Sequence, residues 1–337
     1  MVKIGTHNGT FHCDEALACA MLKTLPKFKS AEIVRSRDEK VLSECDIVVD
    51  VGAKYIPEKD LLDHHQREFQ LNLSDIRPEF SSYKWACRTR LSSAGLVYAH
   101  YGEQVLKQLT EYENLKDDQD YQKGLYKFVY ENLMEEVDAV DNGVDQYSGE
   151  GLERNYKVTT TLGNRVKNIQ PSWLDEDQDT DKLFPIAMEI TLNELKSTCK
   201  GYYQFYMARD IVKNAILERK SVHPSGKAIM LSRFCPWKKH LHLLEDDEDF
   251  KEISNGEVLY CLFGDSSGNM RIQCVSKDEG SFENRKSLPK EWCGIRNEEL
   301  AKVCGLEDSI FVHASGFIGG WKSKESALKA VDIAIQK

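Results

Sequence analysis

Hydrophobic residues near the start of the chain form short runs with one helical pattern between them. The runs at 2–7, 31–36 and 46–52 are typical of strands, and LLDHH at 61–65 predicts a fourth. Between the first two runs, Ala, Leu and Met recur at helical spacing over 14–25. Strands that alternate with helices indicate βαβ units, so we predict a parallel sheet of the α/β class.

Longer helical patterns follow this region. Residues 90–109 predict a long helix, and a further helix is predicted over about 121–140, where Asn-Gly signals the end of the pattern. A Pro- and Asp-rich stretch at 165–184 then interrupts the periodicity and predicts a domain boundary. A helical segment over about 185–219 is expected to carry the chain into the next domain.

The last part of the chain predicts a second, smaller α/β domain. Strands are expected at 227–232, 257–263 and 270–276, with GDSSGN as a hairpin loop between the last two. The sequences NEELAKVCG and KESALKAVDIAIQK are typical of helices. Because 337 residues exceed the usual size of one core, we predict a catalytic domain at 1–165, a linker and connecting helix at 166–219, and a substrate-recognition domain at 220–337.

Composition narrows the cellular setting. The hydrophobic fraction of 41% and the charged fraction of 30% are ordinary for a soluble globular protein, and no apolar run is long enough to predict a membrane span. The ten cysteines include no CxxC pair, and the amino terminus has no pattern of a signal or transit peptide. We therefore expect reduced cysteines, no membrane partner and a cytoplasmic or nuclear location, with a mitochondrial location as the alternative.

The net charge argues against one class of protein. With 45 basic and 55 acidic residues the formal charge is −10, and much of the acidic excess lies at 174–181 and 245–249. A dedicated sequence-specific nucleic-acid binder would carry a basic surface instead. An enzyme that holds a few phosphates is still compatible with this charge, because bound metal ions can supply the positive charge.

Histidines and aspartates lie where the predicted strands end. In an open α/β sheet, ligands bind beyond the carboxyl ends of the strands, so we expect these side chains to converge. They are His7, His12, Asp14, Asp50, Asp63, His64 and His65, with Asp138 and Asp141 at a helix end. Each one alone is more often a cap or a hydrogen-bonded structural residue, and only their coincidence at successive strand ends favours a metal site.

The ligand types restrict the metal. Mixed imidazole and carboxylate ligands suit divalent Mn, Fe, Co or Zn, and Mg where oxygen predominates. A shared carboxylate would hold two such ions roughly 3.5–4 Å apart, which suits hydrolytic phosphoryl transfer. We therefore expect a divalent-metal cofactor, most simply two ions.

A glycine-rich stretch near the end of the chain offers a second site. In FVHASGFIGGWKSKE, the glycines Gly316, Gly319 and Gly320 would allow close approach of a backbone, and His313 and Lys322 could contact phosphates. A helix that begins near Ser323 would add an amino-terminal anion site. The alternative interpretation is a structural turn between a strand and a helix.

Several of these stretches together resemble one family. GTHNGTFHCDEALACAML, DIVVDVG, DHHQREF, LSSAGLVYAHYG, VDAVDNG and HASGFIGG are similar to the Myg family, metal-dependent proteins related to the DHH phosphoesterases, from residue 2 to about 325. The resemblance implies a DHH-type domain followed by a smaller substrate-recognition domain. It also implies 3′–5′ exoribonuclease activity supported by Mn or Mg, with members in nucleus and mitochondria.

The resemblance also implies residue roles. The metal ligands are then His7, His12, Asp14, Asp50, His64 and Asp141, with Asp141 preferred to Asp138 as the last carboxylate. His65 then faces the scissile phosphate. We predict His65 and Asp63 as the catalytic residues, and orientation of His64 from outside the metal shell is the alternative role for Asp63. Two departures stand out: His12 replaces the aspartate of general DHH enzymes, which favours softer transition metals, and Glu68 stands where a small residue is expected.

Three functions fit the sequence. The leading hypothesis is a metal-dependent phosphodiesterase that removes nucleotides from the 3′ end of RNA, with His313 and Lys322 binding the polynucleotide. The second is hydrolysis of small substrates such as short oligonucleotides, cyclic dinucleotides or pyrophosphate, which the acidic composition favours. The third is a metal-stabilised RNA-binding protein without turnover. The sequence does not determine the oligomeric state or the RNA target.

Overall fold

The chain forms two compact units of mixed α/β structure. A computed structural model describes residues 1–147, 156–247, 250 and 258–337. The units are Met1–Tyr203 and Gln204–Lys337, and each contains a five-stranded sheet. The α/β class is therefore confirmed, while the assignment of functions to 1–165, 166–219 and 220–337 stays a prediction. The end of the acidic run 245–249 and the first residue of the strand predicted at 257–263 lie outside the described residues.

The sheet of the first unit is parallel except at one edge. Its strand order is β2-β1-β3-β5-β4, where β1 is Lys3–Thr6, β2 Glu32–Arg35, β3 Ile47–Val49, β4 Tyr55–Ile56 and β5 Leu61–Leu62. Strand β4 pairs antiparallel with β5, whereas the other pairs are parallel. The carboxyl ends of β1, β3 and β5 therefore lie at one edge of the sheet. The sequence analysis expects the histidines and aspartates at this edge.

Eight helices accompany this sheet within the described residues. They are α1 Cys13–Thr24, α2 Glu39–Leu42, α3 Leu73–Ile76, α4 Lys84–Arg88, α5 Ser93–Leu109, α6 Gln119–Val129, α7 Glu135–Asp141 and α8 Leu162–Lys167. A π-helical stretch, Tyr130–Met134, joins α6 to α7. Short 3₁₀ turns occur at Pro57–Lys59, Pro78–Phe80 and Glu113–Leu115. The helix α9, Thr180–Leu217, begins in the first unit and ends in the second.

Helix α1 forms the centre of the first core. All its residues from Asp14 to Leu22 are buried, and the helix packs closely on α5. The alanines at 16, 18 and 20 leave little side chain on the helix surface, which lets neighbouring elements approach closely. Its first turn is thereby fixed rigidly beside the carboxyl ends of the strands.

The second unit has a mostly antiparallel sheet covered on both faces. Its order is β6-β7-β8-β10-β9, with β6 Ala228–Met230, β7 Tyr260–Gly264, β8 Met270–Cys274, β9 Ser309–Val312 and β10 Ile318–Trp321. Only β6 and β7 pair in parallel, and β7 and β8 form the predicted hairpin.

Helices cover this second sheet. The unit contains the end of α9 together with α10 Arg219–Val222, α11 Trp237–Asp246, α12 Asn297–Cys304 and α13 Lys324–Gln336, and the 3₁₀ turn Lys290–Trp292. One core joins the sheet to α12 and α13, and a second joins it to α11 and the last part of α9. The stretch predicted as a glycine-rich turn includes a whole strand, β10, because Gly319 and Gly320 continue the ladder.

Candidate metal centre

The ends of β1 and β3 bring the first site residues together. His7 follows β1, and its Nε2 atom lies 3.3 Å from Asp50 Oδ2 and 3.0 Å from Glu15 Oε1. Asp50 follows β3 with a φ of +59°, in the left-handed region. Aspartate tolerates this region better than most residues, and the turn directs its carboxylate inward, where Ser93 Oγ donates to Oδ1.

The first turn of α1 adds two further carboxylates. His12 caps the helix, and its backbone N–H donates to Oε1 and Oε2 of Glu15 at 2.8 and 2.9 Å. Asp14 is only 1% exposed, yet neither of its carboxylate oxygens has a hydrogen-bond partner among the described residues. Burial, and then the charges of Asp50 and Asp141, raise the pKa of Asp14 well above its usual value. A buried carboxylate without a partner is costly, so this position fits a cation.

The DHH segment completes the cluster. His64 Nε2 lies 3.1 Å from Asp141 Oδ2 and 3.5 Å from Asp50 Oδ1. Neither ring nitrogen of this buried histidine has hydrogen-bond geometry to a partner in the described part of the chain. A buried imidazole beside two carboxylates has the chemistry of a ligand to a divalent metal ion.

Asp63 and His65 form a separate pair beside this cluster. His65 Nδ1 lies 2.7 Å from Asp63 Oδ1, and Oδ2 of the same carboxylate accepts from the Ala53 backbone N–H at 2.6 Å. Asp63 therefore holds His65, not His64. The His65 side chain is 59% exposed, whereas His64 is buried. This difference in exposure agrees with different roles for the two adjacent histidines.

Asp138 and Asp141 occupy distinct environments although both lie in α7. Asp138 is fully buried, and Oδ1 accepts from Ser92 N and Ser92 Oγ at 2.9 and 2.7 Å. Its Oδ2 accepts from Tyr130 Oη at 3.2 Å. Asp141, in contrast, points toward His64 and can share an ion with His12 and Asp14. Only Asp141 thus lies within reach of the histidines.

Among the described residues, three groups of side chains could each hold a metal ion, because the potential ligand atoms within each group lie within 4.8 Å of one another. They are His7, His12, Glu15 and Asp50; Asp50, His64 and His65; and His12, Asp14 and Asp141. Asp50 belongs to two groups, and so does His12. Imidazole and carboxylate ligands with shared members fit divalent cations of the transition-metal type, so these residues fit the expected cofactor.

Contacts between the histidines and the carboxylates of the cluster shift their pKa values in ways that favour the charged forms. Burial lowers the pKa of His7, but contacts with Asp50 and Glu15 outweigh it and raise the value to about 10. Burial acts in the same way on His64, where Asp141 and Asp50 raise the pKa to about 9. Asp50 has a lowered pKa, because contacts with His64 and His7 outweigh the opposite effect of burial.

The structure also reveals site residues that the sequence analysis missed. Glu15 lies in the centre of the first ligand group. A cavity of about 630 Å³ beside the cluster is lined by His12, Asp14, His64 and Asp141 together with Arg90 and Lys167. A smaller cavity of about 290 Å³, which borders His7 and His65, is lined by Arg37. Arg37 follows β2 at the same sheet edge, so the rule of strand ends would have found it.

The predicted substrate residues of the second unit surround the hairpin β9–β10. His313 and Lys322 are exposed, whereas Gly316, Gly319 and Gly320 are buried. A Cβ atom on Gly319 would lie 2.8 Å from the Trp321 ring, and one on Gly320 would lie 1.9 Å from Arg271 Nη1. Close packing within the unit therefore already explains why these two positions are glycine.

His313 belongs to a turn that occurs twice in the second unit. In HASG at 313–316 and HPSG at 223–226, the serine Oγ contacts the histidine Nδ1 at 2.9 and 2.7 Å. In both turns the serine backbone N–H also donates to that Nδ1, so Nε2 carries the ring proton. The Nε2 atom of His223 is buried against Asp332 Oδ1 at 2.8 Å, whereas His313 is exposed.

Buried histidine and carboxylate side chains beyond the strands of a largely parallel sheet define an α/β protein with a candidate metal centre. Residues 3–335 match the family MYG1_exonuc, described as "Uncharacterised protein family (UPF0160)". The chain therefore belongs to this family, which confirms the resemblance seen in the sequence.

Relatives from distant organisms match almost the whole chain. The human protein named "MYG1 exonuclease" is 46% identical over 97% of this chain and 84% of its own length. A "MYG1 protein" of Dictyostelium discoideum is 39% identical over 96% and 94% of the two chains. The Saccharomyces cerevisiae protein "MYG1 protein YER156C" is 38% identical over 99% and 95% of the two chains.

None of the helices in the described part of the chain combines the length and the apolar character that a membrane span needs.

Proposed function

We propose that the protein is a metal-dependent phosphodiesterase that removes nucleotides from the 3′ end of RNA, with two divalent ions in a DHH-type first domain. Its membership of a family with a relative named "MYG1 exonuclease" supports a nuclease. One observation carries the metal part of the proposal: Asp50 and His12 each belong to two ligand groups. Shared ligands are the arrangement that places two ions close together.

Divalent ions, when bound, would activate water for hydrolysis and neutralise the charge on the phosphate oxygens. In this proposal His7, His12, Asp14, Asp50, His64 and Asp141 hold the ions, and Glu15 joins them. Mn or Mg is the expected metal, and the imidazole-rich first group leaves softer transition metals as candidates.

The pair of Asp63 and His65 orients the substrate. Asp63 is hydrogen-bonded to Nδ1 of His65. The other ring nitrogen, Nε2, is therefore the one that contacts the scissile phosphate. The backbone N–H of Ala53 holds Asp63 in turn. His65 thus contacts substrate, and Asp63 positions it.

For the second unit, we propose that His313 and Lys322 bind polynucleotide phosphates near Gly316, Gly319 and Gly320. The HxSG turn supports this role, because it directs the ring proton to Nε2 of an exposed histidine.

The decisive experiment is digestion of a 20-nucleotide RNA in the presence of Mn, with the label at the 5′ end in one sample and at the 3′ end in another. We expect a ladder of shortened 5′-labelled products and immediate release of labelled mononucleotide from the 3′ end. His64→Ala should lose most of the activity while the protein stays folded, because the change removes one proposed metal ligand.

An exposed carboxylate provides the matched control. Asp120→Asn changes an acidic residue in the first turn of α6 outside the cluster and should leave the rate unchanged. Cleavage of dinucleotides but not of the 20-mer would replace the proposal with a small-substrate hydrolase. Equal digestion of DNA would remove the RNA specificity, and RNA binding without any cleavage would leave only a metal-stabilised binding protein.

A further inference from the structure

The larger cavity beside the metal centre carries residues that metal binding does not explain. One wall consists of His12, Asp14, His64 and Asp141, and the same cavity of about 630 Å³ is also lined by Arg90, Lys167, Asn164 and Gln170. This volume lies in the range of pockets for small organic ligands. Glu136 also lines the cavity, so the positive charge is local to Arg90 and Lys167. These two cations and the two amides, together with metal ions at the cluster, are complementary to an anion that carries polar groups.

Arg90 is held in place by contacts that leave part of its guanidinium available. Its Nε donates to Asn142 Oδ1, and its Nη1 donates to the Phe69 carbonyl at 3.4 Å. Asn142 Nδ2 returns a hydrogen bond to the Arg90 carbonyl at 2.9 Å. Within the described residues Nη2 makes no hydrogen bond, and the side chain is half-buried at the cavity wall. An oriented guanidinium of this kind is suited to a phosphate.

The α8 region supplies further residues of the cavity lining. Thr161 caps α8 and accepts from Asn164 N, which fixes the start of the helix whose last residue is Lys167. Gln170 Nε2 donates to the Phe11 carbonyl at 2.6 Å, and its amide oxygen can accept a hydrogen bond from a ligand. These polar groups can form hydrogen bonds with ribose hydroxyls and with the edge of a base.

We propose that this cavity holds the terminal nucleotide of the substrate and, after cleavage, the released nucleoside 5′-monophosphate. Arg90 contacts the phosphate, and Lys167 adds positive charge. The inference rests on the proposed nuclease function. In the reaction, water oxygen forms a bond to phosphorus and the bond from phosphorus to the preceding 3′ oxygen breaks. One water proton is transferred to that oxygen, so the phosphate stays on the nucleotide in the cavity.

Direct binding of product tests the assignment without any turnover. Uridine 5′-monophosphate should bind the Mn-loaded protein in a calorimetric titration, and uridine 3′-monophosphate should bind more weakly. Arg90→Met should weaken binding of the 5′-monophosphate about ten-fold or more, which corresponds to about 1.4 kcal/mol for a lost charged contact. Lys167→Met should weaken it several-fold, and Lys167→Arg should retain it.

Two variants separate binding from structural support. Arg165→Met is a control on the same helix, since Arg165 is exposed, pairs with Glu194 at 2.7 Å and does not line the cavity; it should bind like the wild type. Asn142→Ala breaks the contact with Arg90 but keeps the guanidinium. Asn142 also caps α7 beside Asp141, so the deciding measurement is Mn uptake by Arg90→Met itself. If Arg90→Met loses Mn uptake together with nucleotide binding, Arg90 is a structural residue and the proposal is wrong.

The outcome also distinguishes this inference from the proposed function. Nucleotide binding that depends on Arg90, in a protein that cleaves no RNA, would overturn the nuclease proposal and retain the cavity assignment. RNA cleavage by a protein whose nucleotide affinity is the same in wild type, Arg90→Met and Lys167→Met would overturn the cavity assignment alone.

Discussion

At the scale of single residues, Asp50 combines an unusual backbone with a central position. Its φ of +59° lies in the left-handed region, which disfavours most side chains but is accepted by Asp and Asn. Its carboxylate contacts His7 and His64. The same residue therefore serves the turn after β3 and joins two ligand groups.

Asp50→Asn should separate these two contributions. Asparagine keeps the backbone conformation and nearly the same volume but loses the negative charge, so we expect a folded protein that takes up less metal and has lost its hydrolytic activity. Circular dichroism and elemental analysis of the purified variant are the measurements. Full metal content in this variant would contradict the placement of Asp50 in the centre.

The raised pKa of Asp138, which is not one of the proposed metal ligands, predicts that the stability of the protein depends on pH. Burial raises the pKa of Asp138 to about 7, although Ser92 and Tyr130 donate hydrogen bonds that act in the opposite direction. The folded protein binds this proton more tightly than the unfolded chain does. The resulting contribution to stability is therefore greatest below about pH 4 and is lost as the pH rises through about 7.

Comparison with Asp138→Asn measures this contribution. Urea unfolding at pH 5 and at pH 8 should show that the free energy of unfolding of the wild type, relative to the variant, is lower at pH 8. Effects of other groups are common to both proteins and cancel. A difference that is constant between the two pH values would show that Asp138 titrates near its ordinary pKa.

The sequence could predict those site residues that follow strands. His7, Asp50 and His64 fall at strand ends, and the rule for open sheets applies to them directly. Glu15 was missed because a glutamate three residues after a helix cap is the ordinary sign of a capping box, a role that it also has here. Arg90 and Lys167 belong to no motif, and only the tertiary fold brings them to the cavity.

At the scale of elements, the junction of α5 and α7 depends on a glycine. A Cβ atom at Gly95 would lie 2.3 Å from Asp138 Oδ1. The Asp138 side chain cannot move away easily, because Ser92 and Tyr130 hold both of its oxygens. Gly95 thus lets α7 place Asp138 against the first turn of α5, and this contact positions the helix end that carries Asp141.

Gly95→Ala is therefore expected to destabilise the protein by about 1–3 kcal/mol, the usual cost of overpacking a core. Gly201→Ala is the matched control within α9, because a Cβ atom there meets nothing within 4 Å. It should raise stability by up to about 1 kcal/mol through helix propensity. Chemical denaturation of both variants provides the comparison, and equal stabilities would contradict the crowding at Gly95.

Two of the strands that the sequence did not predict are short or rich in glycine. Strand β4 has two residues, too few for a visible alternation. Strand β10 contains Gly319 and Gly320, and glycine is depleted in strands because it packs poorly and costs entropy. Long helices such as α5, in contrast, show their period over several turns and were predicted within a few residues.

At the scale of the whole molecule, the first unit concentrates buried acidic groups around its histidines. Asp14, Glu15 and Asp50 are all buried at the start of α1 and the end of β3. Bound cations would offset the repulsion between these groups, and any ligand that binds only the folded state adds to its stability. Metal content and thermal stability should therefore vary together.

Removal of metal by a chelator should lower the unfolding temperature, and Mn added back should restore it. At a free metal concentration a hundred times the Kd, the expected gain is about 2.7 kcal/mol for each site. Differential scanning calorimetry provides the measurement. Asp50→Asn should show a smaller restoration, whereas an unchanged response in that variant would mean that the stabilising ion binds elsewhere.

The repeated HxSG turn has a consequence for how short motifs are interpreted. Four residues with the same internal hydrogen bonds occur at 223–226 and at 313–316. A pattern search would score both equally, although one histidine is bound to Asp332 and the other is exposed. The four-residue motif therefore determines that Nε2 is the ring nitrogen that can donate a hydrogen bond. The rest of the fold determines whether the acceptor is a neighbouring side chain or a bound molecule.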